Sequence, residues 1–135
     1  MISEAGIARL KRHEGFRKDI YKDSVGIDTW GYGWNLSTGI TEPVAAFALA
    51  AKVEAIEQEL LSTFDWYPNL TQVRKDVILN MCYNMGIAKF KTFINTINLI
   101  AASKHEEASV QMLKSRWAEQ VGNRAKELSE LYRRG

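Results

Sequence analysis

The sequence predicts an α+β fold: one helix, a short β-hairpin, then a run of helices. Three observations lead there. A helical pattern carrying Ile7 and Leu10 stops at Glu14-Gly15. Residues 19 to 32 then change to strand-type residues divided by turn formers. From Thr41 onward, apolar residues recur at helical spacing almost to the end of the chain. A length of 135 residues argues for one compact unit with a continuous core. An apolar content of 46% with 25% charged residues is ordinary for a globular chain.

Each element has a local reason. Ser3 can cap a helix running to about Glu14, with Glu4 well placed against the dipole of its first turn, and Gly15 ends it. Phe16 is expected to pack back on that helix. Asp-Ile-Tyr-Lys-Asp at 19 to 23 reads as a strand, Val25 to Asp28 as a turn, and Thr29 to Tyr32 as a second strand. Gly31 and Gly33 are poor strand formers, so they signal a bend or a close approach to the backbone. After a connector at 37 to 40, Thr41 caps a long helix that tolerates Pro43 in its first turn. Leu49, Val53, Ile56 and Leu60 form its buried stripe. Pro68 breaks the pattern, and Phe64, Trp66 and Tyr67 beside it are expected to cover the core, with a sugar-stacking platform as the alternative. Thr71 caps a helix whose Val73, Val77, Ile78, Met81, Cys82 and Met85 mark it as the central buried one, stopped by Gly86. Helices opening at Phe93 to Thr96 and at His105 follow, and Asn123 is a candidate cap for the last.

Several function classes lack support. No apolar stretch is long enough to span a bilayer, and the N-terminus shows no signal-peptide pattern. Stable membrane association is therefore not expected. The single cysteine, Cys82, falls in an apolar helical pattern and reads as a small core residue. His13 and His105 are isolated, no metal-ligand spacing occurs, and no cofactor is implied. Net charge is +2 but uneven. Residues 1 to 22 and 114 to 134 each hold six basic and three acidic groups, whereas 41 to 65 hold one lysine against five acids. Basic ends suit an anionic polymer. Charge alone does not separate a bacterial wall from a nucleic acid, but no nucleic-acid motif appears.

The chemistry concentrates in residues 14 to 34, EGFRKDIYKDSVGIDTWGYGW. Glu14 lies four residues beyond Leu10, on the helical face marked by Ile7 and Leu10. A carboxyl aimed at a core is partly desolvated, which favours its protonated form, the state a general acid needs. Asp23 sits between Lys22 and Ser24 at a turn and is expected to stay wet and ionised, as a base must. Two such carboxyls suit cleavage of a glycosidic bond. The plainer alternative makes Glu14 a helix-end carboxyl paired with an arginine and Asp23 a turn former.

The order Glu14, Asp23, Thr29, then Gly31-Tyr32-Gly33, set in HEGFRKDIYKDSVG and TWGYG, resembles the catalytic signature of the phage-type lysozymes. VRKDVILNMCYNMG at 73 to 86, Lys114 to Trp117, and Asn123-Arg124-Ala125 resemble the same family. The resemblance implies a lysozyme-like α+β architecture. It has a small lobe over about 15–45, a linking helix over about 42–62, and a helical lobe from about 1–14 and 60–135. It implies a muramidase with Glu14 as acid, Asp23 as base, Thr29 holding the water, and inversion at the sugar. Substrate contacts would come from Tyr32, Trp34, Tyr83, Asn84, Asn95, Thr96 and Arg124, the last also meeting Glu14. Ordinary structural roles compete for several of them, as caps for Asn84, Asn95 and Thr96, and Trp117 is expected to be core rather than a sugar platform. Two departures stand out. Trp34 occupies a position where the family often has histidine, and the segment after the hairpin is shorter than in the T-even phage enzyme.

The partner implied is peptidoglycan, and a monomer is expected. The chain would accumulate in a host cytoplasm and reach the periplasmic wall through a separate holin-type pore. Two rivals remain. A lytic transglycosylase needs one acid/base glutamate and no water, so Asp23 and Thr29 argue against it. A non-catalytic wall-binding module would keep the fold alone, and Trp34 with the shortened connector motivates it.

Overall fold

A computed structural model describes all 135 residues. The chain is mostly helical with one small antiparallel sheet, an α+β arrangement of the lysozyme type. Its backbone groups into two compact units, Met1–Phe47 and Ala48–Gly135.

The first unit opens with helix α1, Glu4–Glu14. The Ser3 side chain accepts from Gly6 N at 3.1 Å, and Gly15, at φ 69°, ends the helix by donating to Lys11 O. Strand β1 is Arg17–Lys22, β2 is Asp28–Gly31 and β3 is Trp34–Asn35, in the order β1-β2-β3. The expected hairpin is thus a three-stranded sheet. Gly31 at φ 60° and Gly33 at φ 71° turn the chain back through Tyr32, so the second strand stops early and a third begins. Positive φ is a conformation glycine adopts without steric cost.

Two local expectations fail here. No residue of α1 is buried, and Ile7 and Leu10 are 41% and 48% exposed. Two large apolar residues among six charged or histidine side chains make too narrow a stripe to bury. Phe16 does not pack on α1; it is exposed and its ring lies 5.6 Å from that of Tyr32.

In the chain order, a 3₁₀ turn at Leu36–Thr38 leads to the long helix α2, Glu42–Thr63, which starts directly after Thr41. Of its expected stripe, Leu60 is fully buried, Val53 and Ile56 pack partly against the core, and Leu49 is exposed. The core of the second unit forms around α3, Gln72–Met85, which buries Val77, Ile78, Leu79, Met81 and Cys82. Thr71 caps it through Arg74 N, and Gly86 at φ 87° closes it. Tyr67 is fully buried and belongs to the core, whereas Phe64 and Trp66 are half-buried, packing on the core with one side and leaving part of their surface open. The remaining helices are α4 (Ile87–Phe90), α5 (Ile94–Ala101), α6 (His105–Met112), α7 (Arg116–Val121) and α8 (Asn123–Arg134). Asn123 is not the cap of α8. Gly122, at φ 54°, takes that position, and Asn123 is the first helical residue.

Candidate active site

The first unit carries Asp23, Thr29 and Glu14. Asp23 folds its own turn: Oδ1 accepts from Val25 N and Ile27 N, each at 2.9 Å, and its backbone pairs with Ile27 O and Gly26 N. A side chain that bonds the backbone two residues on is what makes aspartate a turn former. Asp23, expected from the sequence to be wet, is half-buried, its carboxyl held by two donors.

Thr29 faces inward from β2 and is only 4% exposed. Its hydroxyl donates to Ile27 O at 2.9 Å. One residue thus grips both groups, Asp23 through the N–H of Ile27 and Thr29 through its C=O. Because the Thr29 proton is engaged, its oxygen is left to act as an acceptor.

Glu14 ends α1 as an exposed carboxyl, with none of the burial expected from its helical face, because Ile7 and Leu10 beside it are themselves exposed. Its carboxylate lies against Gly33, where a Cβ would collide with Oε2. The close approach signalled by that glycine is realised, and the group approaching is the Glu14 side chain.

Tyr32 and Trp34 are 47% and 40% exposed. Tyr32 sits in the turn between β2 and β3, with Lys11 Nζ 5.6 Å from its ring centre. Trp34 pairs with Trp30, and Thr29 with Asn35. Directly opposed residues share a sheet face and neighbours along a strand alternate. Trp34 therefore lies on the face opposite Thr29.

The other predicted positions belong to the second unit. Arg124, at the start of α8, donates twice to Asn80 Oδ1, from Nε at 3.0 Å and Nη2 at 2.7 Å. Tyr83 and Arg124 line a pocket of about 380 Å³ with Asn80, Asp76 and Leu79, and Lys52 Nζ stands 4.9 Å above the Tyr83 ring. Asn84 is neither a cap nor free: its Oδ1 accepts from Trp117 Nε1 at 2.8 Å. Trp117 is a buried core residue, as expected. Asn95 and Thr96 line a separate pocket of about 250 Å³. Asn95 is exposed and Thr96 buried, and Phe93 occupies the cap of α5 without a side-chain bond, so neither polar residue caps the helix.

Comparison with known proteins decides the family. The phage lysozyme family model matches residues 11–135. The chain belongs to the phage lysozyme family. It is a hydrolase of the lysozyme type. It is 31% identical to a probable T4-type lysozyme 1 of Dictyostelium discoideum, over 86% of each chain. It is 32% identical to an endolysin of Acyrthosiphon pisum secondary endosymbiont phage 1, over 91% of this chain and 85% of that one. It is 30% identical to the endolysin of Salmonella phage P22, over 73% of each.

Sequence reasoning missed three supports in this phage lysozyme. They are the Ile27 peptide between Asp23 and Thr29, Asn80 beneath Arg124, and the Asn84–Trp117 bond. The spacing of Asn80 and Asn84, one helical turn apart on α3, was the available signal for the last two. Nothing local marks Ile27, because its backbone is what acts. No cluster of three His, Cys, Asp or Glu side chains is arranged to hold a metal.

Proposed function

We propose that this phage lysozyme is a muramidase, hydrolysing the β-1,4 bond between N-acetylmuramic acid and N-acetylglucosamine in peptidoglycan. The observation that carries the reading is the joint hold of the Ile27 peptide on Asp23 and Thr29, in the unit that also carries Glu14. Glu14 protonates the leaving oxygen. Asp23, its orientation fixed by two backbone donors, takes a proton from water. Thr29, whose own proton is held by Ile27, accepts from that water and orients it. Bound glycan excludes solvent from the exposed Glu14. The outcome is inversion, which requires the two carboxyls to stand roughly 6.5–9.5 Å apart to admit water. Tyr32, Trp34, Tyr83, Asn84, Asn95, Thr96 and Arg124 are proposed substrate contacts, with Asn80 holding Arg124. The names of the relatives support an endolysin role in host lysis. With that endolysin role goes the proposal of a separate holin-type pore that gives access to the wall.

Glu14→Gln tests the mechanism. The variant is expected to keep the wild-type melting temperature and to lose clearing of chloroform-treated Gram-negative cells. Full clearing would remove Glu14 from the chemistry. Mass spectrometry of wall digests separates this reading from a lytic transglycosylase: hydrolysis leaves a reducing muramic end, transglycosylation an anhydro end. Sacculi that sediment with the protein and release no fragments would instead favour a non-catalytic module.

A further inference from the structure

A second recessed surface lies within Ala48–Gly135, built from residues to which the proposed chemistry gives no role. A cavity of about 520 Å³ opens where the ends of α2 and α5 meet the start of α6. That size falls within the roughly 300–1,000 Å³ of small-molecule sites. We propose that it binds one N-acetylhexosamine of the wall glycan, as a second anchoring point for the polymer that the muramidase reading gives as substrate.

Trp66 forms an aromatic wall, held by stacking on Phe64 with ring centres 4.7 Å apart. An aromatic ring fixed in this way suits the C–H face of a pyranose. Leu70, almost fully buried, supplies apolar lining for an acetamido methyl. Around them stand polar groups suited to hydroxyls: the exposed carboxylate of Asp65, the amide of Asn69, the hydroxyl of Ser103 and the ring of His105.

Two of these groups are set in place by something other than chance exposure. Ser103 is the one non-glycine residue with positive φ, at 59°. Its N–H bonds Ile100 O and the next N–H bonds Leu99 O, closing the end of α5 in a form that usually takes glycine. A serine kept in a glycine conformation thus lines the cavity, and such strain gathers at functional sites. His105 is oriented from behind, its Nδ1 2.9 Å from the hydroxyl of buried Tyr132, which leaves Nε2 outside that bond.

Charge narrows the ligand. Asp65 is the only carboxylate in the lining and no lysine or arginine lines the cavity, Arg74 standing behind His105 outside it, so an anion would meet Asp65 with no direct cationic partner. The remaining polar groups are neutral hydrogen-bonding ones, which fit a polyol better than an amine.

The experiment uses the full chain carrying Glu14→Gln, isotope-labelled, titrated with triacetylchitotriose and separately with N-acetyl-lysine. The expected result is saturable shifts of the Trp66 indole and the Asn69 and Ser103 amides with the sugar and not with the amine. Asp65→Ala, at an exposed position, is expected to weaken that binding about tenfold or more while leaving the spectrum elsewhere unchanged. Ser103→Gly, which relaxes the backbone and removes the hydroxyl, is expected to hold or raise the melting temperature and still weaken binding. Shifts confined to the sheet around Asp23 and Tyr32, shifts with the amine alone, or no shift at the cavity would overturn the proposal. Release of reducing ends by the unsubstituted chain is measured separately, so binding here without cleavage would sink the muramidase reading and spare this one, and the reverse result the opposite.

Discussion

Replacing Gly33 by alanine isolates the placement of Glu14 from backbone strain. Gly33 has φ 71°, and a Cβ there would collide with Glu14 Oε2. Gly31 has φ 60° but open space around the same construction. Both alanine variants therefore carry the left-handed penalty of about 1–2 kcal/mol. For a chain of this size that corresponds to melting roughly 4–8 °C lower in each. Only Gly33→Ala also pushes the carboxylate, which must move on the order of 1 Å to restore ordinary contact. The obstructing atom is the end of a flexible side chain, so the move costs little stability. For a proton donor, however, a displacement of that size costs about 100-fold in rate. The assay pairs thermal unfolding with clearing of chloroform-treated cells. The expectation is similar melting temperatures, near-normal clearing for Gly31→Ala and loss of about two orders of magnitude for Gly33→Ala. Equal activities at equal stability would refute the argument that Gly33 positions a working Glu14.

Other outcomes follow from the same geometry. Asn84→Ala leaves the Trp117 Nε1–H without its partner in a buried setting, and should lower unfolding free energy by about 1–3 kcal/mol in urea denaturation. Burial pushes the Cys82 thiol up to about 12, aided by the charge of Glu59, so a thiol reagent at pH 8 should label it only after unfolding. Burial, and then the nearby Arg74 charge, holds the His105 pKa below its ordinary value. The folded state then binds fewer protons than the unfolded one, so this residue's contribution is intact above about pH 6.5 and is lost as pH falls through the lower folded value. The difference in melting temperature between the wild type and His105→Gln, followed from pH 7.5 to 4.5, should show that loss; a flat difference would count against it.

Much of this was written in local sequence. Ser3, Gly15, Thr71 and Gly86 mark helix ends because capping and positive φ depend on a few neighbouring atoms, and the helices begin and stop at them. The central helix was legible because its buried residues, Val77, Ile78, Leu79, Met81 and Cys82, stand almost consecutively in the sequence. Asp23 was legible twice over, as a turn former and as a candidate base, and its two backbone bonds are compatible with both. The family signature was equally plain, since Glu14, Asp23 and Thr29 lie within one short stretch.

What stayed hidden depends on contacts between residues distant in the chain, or on exposure, which a helical period does not report. Ile7 and Leu10 followed an apolar pattern yet remain exposed, so the burial argued for Glu14 does not operate. The third strand needed the bend at Gly31 and Gly33, and with it came the alternation that turns Trp34 away from Thr29. The partners of Asn84 and Arg124 lie 33 and 44 residues away. Patterns along a chain report which face a residue takes on its own helix or strand; the atom that meets it there is chosen by packing between elements.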